Sequence, residues 1–185
     1  MAQIELLLAE SQPHMLFCTE ARVTIEINDA EISVDGYKTM RSDSVSRHSG
    51  GVILYYRCDM NVVKLANHVL GYNNILVIDV LSDYCRGVWV GVYHSPGSSD
   101  AEFLNEFELI IESLVSISKP LTIAGDFNIN VHRSSQSNTY KQRLKRFEHS
   151  HSLKQLITDF TRITATSRTT VDLGFTNNHM ISAAV

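Results

Sequence analysis

Two apolar runs that lie close together in the chain, residues 75–81 and 87–93, constrain the fold most strongly. In the second run, Val88, Val90 and Val92 share one face, while Trp89 and Gly91 share the other. A period of two is typical of a β-strand. The polar segment 82–86 joins the two runs, so the sequence predicts a sheet that contains both of them.

Three segments have the spacing of amphipathic helices: residues 3–11, 101–116 and 139–151. In the longest, apolar side chains recur every three or four positions, at Phe103, Phe107, Ile110, Ile111 and Leu114. Ser99, followed three residues later by Glu102, is typical of a capping box at the start of this helix. Strands mixed with helices at these intervals predict a layered α/β domain in which helices cover a sheet.

Shorter apolar runs predict further strands at residues 14–18, 51–57, 120–124 and 170–175. Residues 37–50 are polar, contain Gly50 and are predicted as a loop that leads into a strand. Residues 23–34 alternate only weakly, and residues 59–70 fit a helix or a strand equally well.

Composition indicates one globular domain and excludes several classes of protein. The chain has 185 residues, of which 44% are hydrophobic and 19% charged, which argues against disorder. Sixteen Lys and Arg against twenty Asp and Glu give a net charge of −4. A protein that binds nucleic acid through bulk positive charge needs clustered Lys and Arg, so any such contact is expected through a local patch or a metal.

The cysteines and the first residues bear on the compartment. Cys18, Cys58 and Cys85 are far apart and form no Cys-x-x-Cys pair, which argues against a thiolate zinc site. The first ten residues lack the basic start of a signal peptide, and no apolar run approaches the ~20 residues of a membrane span. We therefore expect a soluble, intracellular protein.

Three carboxylates occupy similar positions, since Glu20, Asp126 and Asp172 each lie in or directly after a predicted strand. Such groups are costly to bury unless they are paired, hydrogen-bonded or bound to a metal. Oxygen ligands without a Cys or His cluster suit Mg²⁺ or Mn²⁺. The alternative is that each carboxylate simply ends a strand in solvent.

The segment Gly125-Asp126-Phe127-Asn128 favours the first interpretation. Gly125 permits a tight exit from the strand at 120–124, and Asp126 and Asn128 project in the same direction if that exit is extended. A carboxylate and an amide placed in this way can handle a proton and hydrogen-bond a phosphate oxygen.

Motifs along nearly the whole chain resemble those of one family. They are residues 13–20 (PHMLFCTE), 36–43 (GYKTMRSD), 50–55 (GGVILY), 92–96 (VYHSP), 125–128 (GDFN), 160–162 (FTR) and 170–177 (TVDLGFTN). In this order they resemble the endonuclease/exonuclease/phosphatase superfamily. More narrowly, they resemble the endonuclease domain of non-LTR (LINE-type) retrotransposons, which also encode a reverse transcriptase.

The resemblance implies a fold and a set of roles. The fold is an α/β (α+β) four-layer sandwich of two mixed β-sheets packed face to face, with helices outside. Glu20 matches the glutamate that binds the catalytic Mg²⁺ (or Mn²⁺), and Tyr93 the tyrosine that contacts the scissile phosphate. Asp126 matches the aspartate that handles a proton at the attacking water or the leaving oxygen. Asn128 matches the asparagine that orients the phosphate and this aspartate, and Asp172 the aspartate that orients a catalytic histidine.

The sequence departs from the family pattern at two places. It contains no Ser-Asp-His motif, which supplies the family's histidine, and no first strand with an asparagine near the metal. We therefore expect residues 1–185 to form a single domain that is incomplete at both ends, with terminal strands missing and reduced activity. His179, seven residues after Asp172, is a weak candidate to replace the histidine.

Three further residues are candidate nucleic-acid contacts: His94, Lys141 and Arg143. His94 follows Tyr93, and the two basic residues lie on the predicted outer face of the helix at 139–151. The alternatives are a simple surface role for the histidine and a solvated helix face for the basic residues.

The leading hypothesis is a fragment of a Mg²⁺-dependent DNA endonuclease. In the intact family such an enzyme nicks chromosomal DNA to prime reverse transcription, which implies a nuclear location and a reverse transcriptase domain downstream. One alternative is a catalytically inactive remnant, or a remnant reused for binding. Another is a phosphodiesterase or phosphatase of the same superfamily that acts on lipid or sugar phosphates.

Overall fold

The computed structural model describes residues 2–115, 117–133 and 135–183. The helices are α1 (Ala2–Ser11), α2 (Asp100–Val115) and α3 (Thr139–Ser150). The strands are β1 (Met15–Thr19), β2 (Tyr37–Ser42), β3 (Val52–Arg57), β4 (Val62–Leu70), β5 (Asn73–Val80), β6 (Gly87–Tyr93), β7 (Leu121–Asp126), β8 (Lys154–Gln155), β9 (Arg162–Ile163), β10 (Arg168–Thr169) and β11 (Asp172–Thr176). Short 3-10 turns form at Asp29–Glu31 and Asp83–Cys85.

Two sheets and the helices outside them make four layers, which confirms the predicted fold class. The smaller sheet has the order β1-β3-β2, and the larger has the order β4-β5-β6-β7-β11-β8. Alternate residues of β3 and β5 pack together between the sheets. Leu8 of α1 packs on the outer face of the small sheet, while α2 and α3 cover the outer face of the large one. The larger sheet is mixed, because β6 and β7 run parallel, whereas β1 and β2 both pair antiparallel with β3.

The alternation read in residues 87–93 sets the position of β6 between two layers. Val88, Val90 and Val92 face the helices and are buried there. Gly91 faces the other sheet, where a Cβ would lie 2.5 Å from Cδ1 of Phe17. The missing side chain therefore makes room for the Phe17 ring of β1, and it lets the two sheets approach closely at this point.

Some elements differ from the prediction. Residues 37–42, predicted as loop, form β2, because all six pair with β3 and backbone hydrogen bonding does not require an apolar pattern. Residues 62–70, which were ambiguous, form the edge strand β4. Segment 23–34 forms turns, including a 3-10 turn capped by Asn28. The short strands β8, β9 and β10 were not predicted, and residue 116 of the predicted second helix lies outside the described residues.

Among the described residues, no helix has both the length and the apolar character needed to cross a lipid bilayer.

The contact between Gly91 and Phe17 predicts the effect of a substitution. Gly91→Ala should lower the free energy of unfolding by about 1–3 kcal/mol, because the new methyl group overpacks the inter-sheet core. Phe17→Leu frees space at the same point, so the double variant should be more stable than the sum of the two single effects indicates. Urea denaturation of all variants measures this.

Gly97→Ala is the matched control, since a Cβ there meets no atom closer than 4.0 Å, and its effect should stay within about 0.5 kcal/mol. Strictly additive effects at positions 17 and 91 would contradict the proposed contact.

Candidate functional site

Three neighbouring strands bring three of the predicted site residues into one row. Tyr93 of β6 pairs with Asp126 of β7 in the parallel register, and Asp126 pairs with Asp172 of β11 in the antiparallel register. Adjacent strands lie about 4.8 Å apart, so the three side chains occupy one end of the large sheet. Asp126 and Asp172, which are far apart in the chain, are therefore neighbours at the same end of one sheet.

The close approach of β6 and β7 at this end depends on Gly125. Its φ of +155° lies in a region that L side chains rarely adopt, and a Cβ there would overlap the carbonyl group of Val92. Phe127, the next residue but one, is fully buried, and its N–H donates to the carbonyl of Val171 at 2.9 Å. The turn after β7 is thus held on both sides, and Asp126 projects from a rigid position.

Asn128 supports Asp126 by a geometry that differs from the prediction. The strand exit is not extended, because Asn128 has φ +49°. Its backbone N–H donates to Oδ1 of Asp126 at 2.9 Å, and its side-chain Nδ2 donates to the carbonyl of His94 at 2.7 Å. The residue therefore orients the Asp126 carboxylate through its backbone, and it ties the turn to the end of β6 through its side chain.

Burial raises the pKa of the Asp126 carboxyl group above the usual value for aspartate. Desolvation is the main cause, and the pKa is about 6. The hydrogen bond from the Asn128 backbone stabilises the charged carboxylate and lowers the pKa in part. The negative charges of Asp172 and Glu20 raise the pKa of Asp126 further, and the positive charge of Arg162 lowers it. A carboxylate with a pKa near 6 can both accept and release a proton close to neutral pH.

Glu20 reaches this group from the other sheet. It follows β1 directly, has φ +52° and is 43% exposed, and its Oε1 accepts a hydrogen bond from Nη2 of Arg22 at 2.7 Å. Since its charge acts on the pKa of Asp126, the two sheets together bring Glu20, Asp126 and Asp172 into one acidic group.

The acidic group suits a weakly held, water-rich ion better than a closed metal centre. Within the described ranges, no three His, Cys, Asp or Glu side chains lie close enough to hold a metal between them. Mg²⁺ commonly binds through one or two carboxylates and keeps several waters or takes substrate phosphate oxygens. Glu20, exposed and next to two further carboxylates, fits that mode of binding and could hold Mg²⁺ or Mn²⁺.

Tyr93 lies next to residues 43–51, which contain part of the loop predicted at 37–50. Its ring is 1% exposed, and its hydroxyl shares a 3.1 Å hydrogen bond with Oγ of Ser49. Asn74 holds this loop against the large sheet, because its Oδ1 accepts from the N–H of Gly51 at 2.7 Å and its Nδ2 donates to Oγ of Ser42 at 2.9 Å. The only sequence signal for Asn74 was a polar pair, residues 73–74, at the start of an apolar strand.

The surface position considered for His94 is wrong, and so is its suggested phosphate contact. The side chain is fully buried, its ring stacks on Phe103 with centroids 4.2 Å apart, and Nδ1 lies 2.7 Å from the carbonyl oxygen of Phe127. Desolvation lowers its pKa, so the ring is neutral near pH 7. His94 therefore holds the turn that carries Asp126 and Asn128 in place.

Lys141 and Arg143 are not free to meet DNA as predicted. The placement of Lys141 on the outer face of α3 is wrong, because its side chain is 4% exposed and Nζ donates to the carbonyls of His132 and Ser135 at 2.5 and 3.1 Å. Arg143 forms a two-point ion pair with Glu108 of α2, at 2.8 and 2.7 Å. Both side chains fasten α3 to its surroundings.

Asp172 has the predicted position, but no histidine of the described residues is bonded to it. Its side chain is exposed, and its carboxylate takes part in no hydrogen bond or ion pair within the described part of the chain, with His179 or with any other residue.

Two arginines supply positive charge to the site, and sequence reasoning gave neither of them a role. Arg22 pairs with Glu20, and the charge of Arg162 acts on Asp126. Arg162 ends the FTR motif at 160–162, which was a signal for its position but not for its function. Arg22 belongs to no recognisable spacing.

Comparison with known proteins gives one family and one fold. The model of a family described as endonuclease-reverse transcriptase matches residues 88–184, just over half of the chain. Among curated proteins, none matches the sequence significantly.

The structure is similar to the endonuclease domain of TRAS1, a telomere-specific non-LTR retrotransposon, with a TM-score of 0.69 and 15% identity over 94% of this chain and 76% of that one. It is also similar to the 3′ phosphatase NExo from Neisseria bound to product DNA hairpin, with a TM-score of 0.70 and 14% identity over 95% and 80% of the two chains. A third similar structure is truncated TDP2 from Caenorhabditis elegans, with a TM-score of 0.64 and 11% identity over 94% of this chain and 75% of that one. At these identities the likeness shows a shared fold.

The raised pKa of Asp126 predicts how the stability of the folded protein depends on pH. Its pKa is raised on folding, so the folded state holds the proton more tightly and stability falls as pH rises from about 4 to about 6. Asp126→Asn removes this cost and should stabilise the protein at pH 7.5 by about 1 kcal/mol, because solvent screens part of the effect at a half-buried carboxylate. The gain should vanish below about pH 4.

Urea denaturation at pH 7.5 and pH 3.5 tests this, with the exposed Asp35→Asn as the matched control. An equal change in stability at both pH values would show that ionisation of Asp126 carries no cost in the folded protein.

Proposed function

The chain belongs to the endonuclease-reverse transcriptase family and has the endonuclease/exonuclease/phosphatase fold, and from this premise we propose that it carries the phosphodiesterase site of a Mg²⁺-dependent DNA endonuclease. The observation that supports this most directly is the row of Tyr93, Asp126 and Asp172 at one end of the large sheet, with Glu20 close enough to act on the pKa of Asp126.

The reaction is hydrolysis of a DNA phosphodiester. The oxygen of a water attacks phosphorus, the bond to O3′ breaks, and the products are a 5′-phosphate and a 3′-hydroxyl. Asp126, with a pKa of about 6, takes the proton from the water or passes one to O3′. Asn128 keeps the Asp126 carboxylate oriented, and contact of Tyr93 with the scissile phosphate, its role in the family, requires the buried hydroxyl to exchange Ser49 for a phosphate oxygen. Glu20 would hold Mg²⁺, which would supply positive charge that offsets the charge of the phosphate.

The same proposal includes the partners. The proposed substrate is DNA. Because the net charge is −4, contact with the phosphates depends on the metal and on local cations such as Arg22 and Arg162. A 3′-hydroxyl released in this way can prime reverse transcription, so a reverse transcriptase domain downstream and a nuclear site of action complete the proposal.

A metal-dependent DNA-binding domain without cleavage is the second candidate. It is favoured by the lack of a hydrogen-bond partner for the Asp172 carboxylate in the described residues. In this case the acidic group still holds the metal and the metal still meets the phosphate, but no imidazole assists the reaction.

Metal binding tests the feature that both candidates share. Mn²⁺ titration followed by electron paramagnetic resonance should show that Glu20→Gln weakens binding by about tenfold or more, the range seen when support of a metal site is lost. Glu26→Gln is the matched control, since Glu26 is 72% exposed and pairs with Arg47 on the surface, and it should bind as the wild type does. Equal affinities for wild type and Glu20→Gln would remove Glu20 from the site.

Plasmid nicking separates the two candidates. Residues 1–185 alone should nick supercoiled DNA in Mg²⁺ no faster than their Asp126→Ala variant, because no imidazole faces Asp172 within the residues that the structure describes. A chain extended with a first strand carrying the asparagine and a last strand carrying Ser-Asp-His should nick, and Asp126→Ala should then cost about 10²–10⁴-fold, the usual contribution of acid–base catalysis.

Two results would decide against this account of cleavage. An extended chain that folds, binds Mn²⁺ and still fails to nick would favour the binding domain. Efficient nicking by residues 1–185 that Asp126→Ala abolishes would show that another group already does the work of the missing histidine.

A further inference from the structure

We propose that Arg22 binds the substrate phosphate and that, before the metal enters, its guanidinium occupies the carboxylate of Glu20, so that metal binding releases Arg22 for the DNA. The inference rests on the proposed function, because it requires Glu20 to bind the metal. It assigns a role to a residue that the family motifs did not single out.

The ion pair between Arg22 and Glu20 uses the carboxylate that the metal needs. Nη2 of Arg22 lies 2.7 Å from Oε1 of Glu20, and no other side chain forms an ion pair with Glu20 in the described part of the chain. The hydrogen bond and the charge of Glu20 are the main reasons that the pKa of Arg22 is raised. A divalent cation that binds Glu20 therefore competes directly with the guanidinium.

The backbone holds Arg22 beside the site. Glu20 and Arg22 both have positive φ, +52° and +56°, a conformation that is unfavourable for residues other than glycine. The N–H groups of Ala21 and Arg22 donate to the carbonyls of Gly51 and Gly50, at 3.2 and 2.9 Å. Segment 20–22 is thus fixed to the loop next to Tyr93, which keeps the backbone of Arg22 beside the site.

Arg22 is also placed to meet the phosphate. The backbone of Ala21 and Arg22 is hydrogen-bonded to Gly51 and Gly50, in the same loop whose Ser49 shares a hydrogen bond with the Tyr93 hydroxyl, the group assigned to a phosphate oxygen. A guanidinium presents five N–H donors in a planar fork that matches two phosphate oxygens, and Glu20 takes only one of them in the hydrogen bond described above. The Glu20 carboxylate lies beside it, and the charge of Glu20 also acts on Asp126, so a cation at this position reduces the repulsion of an incoming phosphate.

The two roles of Arg22 predict effects of opposite sign. Arg22→Gln should tighten Mn²⁺ binding about two- to fivefold, the range expected for loss of one exposed ion pair. The same variant should weaken binding of a phosphorothioate duplex in Mn²⁺, and the slope of log affinity against log salt should fall by about 0.9, the value for one phosphate contact. Arg22→Lys keeps the charge and should restore most of the salt slope.

Arg86→Gln is the matched control, because Arg86 pairs with the exposed Asp83 and lies at the opposite end of β6 from Tyr93. It should change neither measurement. The Mn²⁺ affinity of Glu20→Gln is measured alongside, so that the contribution of Glu20 to metal binding is known independently.

The outcomes separate the inference from the proposed function. If Glu20→Gln weakens Mn²⁺ binding while Arg22→Gln changes neither metal affinity nor salt slope, Arg22 is a surface ion pair and only the inference falls. If Arg22→Gln weakens Mn²⁺ binding, the residue supports the metal and does not compete with it, which also overturns the inference. If Glu20→Gln leaves Mn²⁺ binding unchanged, both the metal site and the inference are wrong.

Discussion

The parallel pairing of β6 with β7 determines where the chemistry of this protein lies. It places Tyr93 next to Asp126, and the antiparallel pairing of β7 with β11 adds Asp172 on the far side. Gly125 permits the close approach, because any side chain there would overlap the carbonyl of Val92. A shift of register by one residue in either pair would turn one of these side chains to the opposite face of the sheet.

The second sheet completes the site and sets its electrostatics. Glu20 belongs to the small sheet, so its distance from Asp126 depends on how closely the sheets pack, and the contact of Phe17 with Gly91 controls that packing. Desolvation by the packed layers is the largest cause of the raised pKa of Asp126. The same burial that stabilises the fold therefore keeps one carboxylate ready to exchange a proton near neutral pH.

Sequence patterns predicted those elements and site residues whose position depends on periodicity and local chemistry. The alternation of 87–93 and the spacing of Phe103 and Phe107 gave β6 and α2, and the Gly125-Asp126 motif gave the strand end that carries the site. Periodicity does not indicate which strand pairs with which, so the polar sequence of β2 gives no signal for a strand. It also does not report that the long stem of Lys141 turns inward to reach two carbonyls, or that the His94 ring fills a space beside Phe103. These depend on contacts between segments far apart in the chain.

The protonation of Asp126 tests the central claim, that burial and neighbouring carboxylates tune this residue, most directly. A titration of the carboxyl ¹³C signal of Asp126 in the metal-free protein, assigned with Asp126→Asn, should give a pKa of about 6. Asp172→Asn should lower that value, because it removes one of the charges that raise it. A pKa near the ordinary value of 3.8, unchanged by Asp172→Asn, would show that Asp126 is solvated and isolated, and it would contradict the account of the site given above.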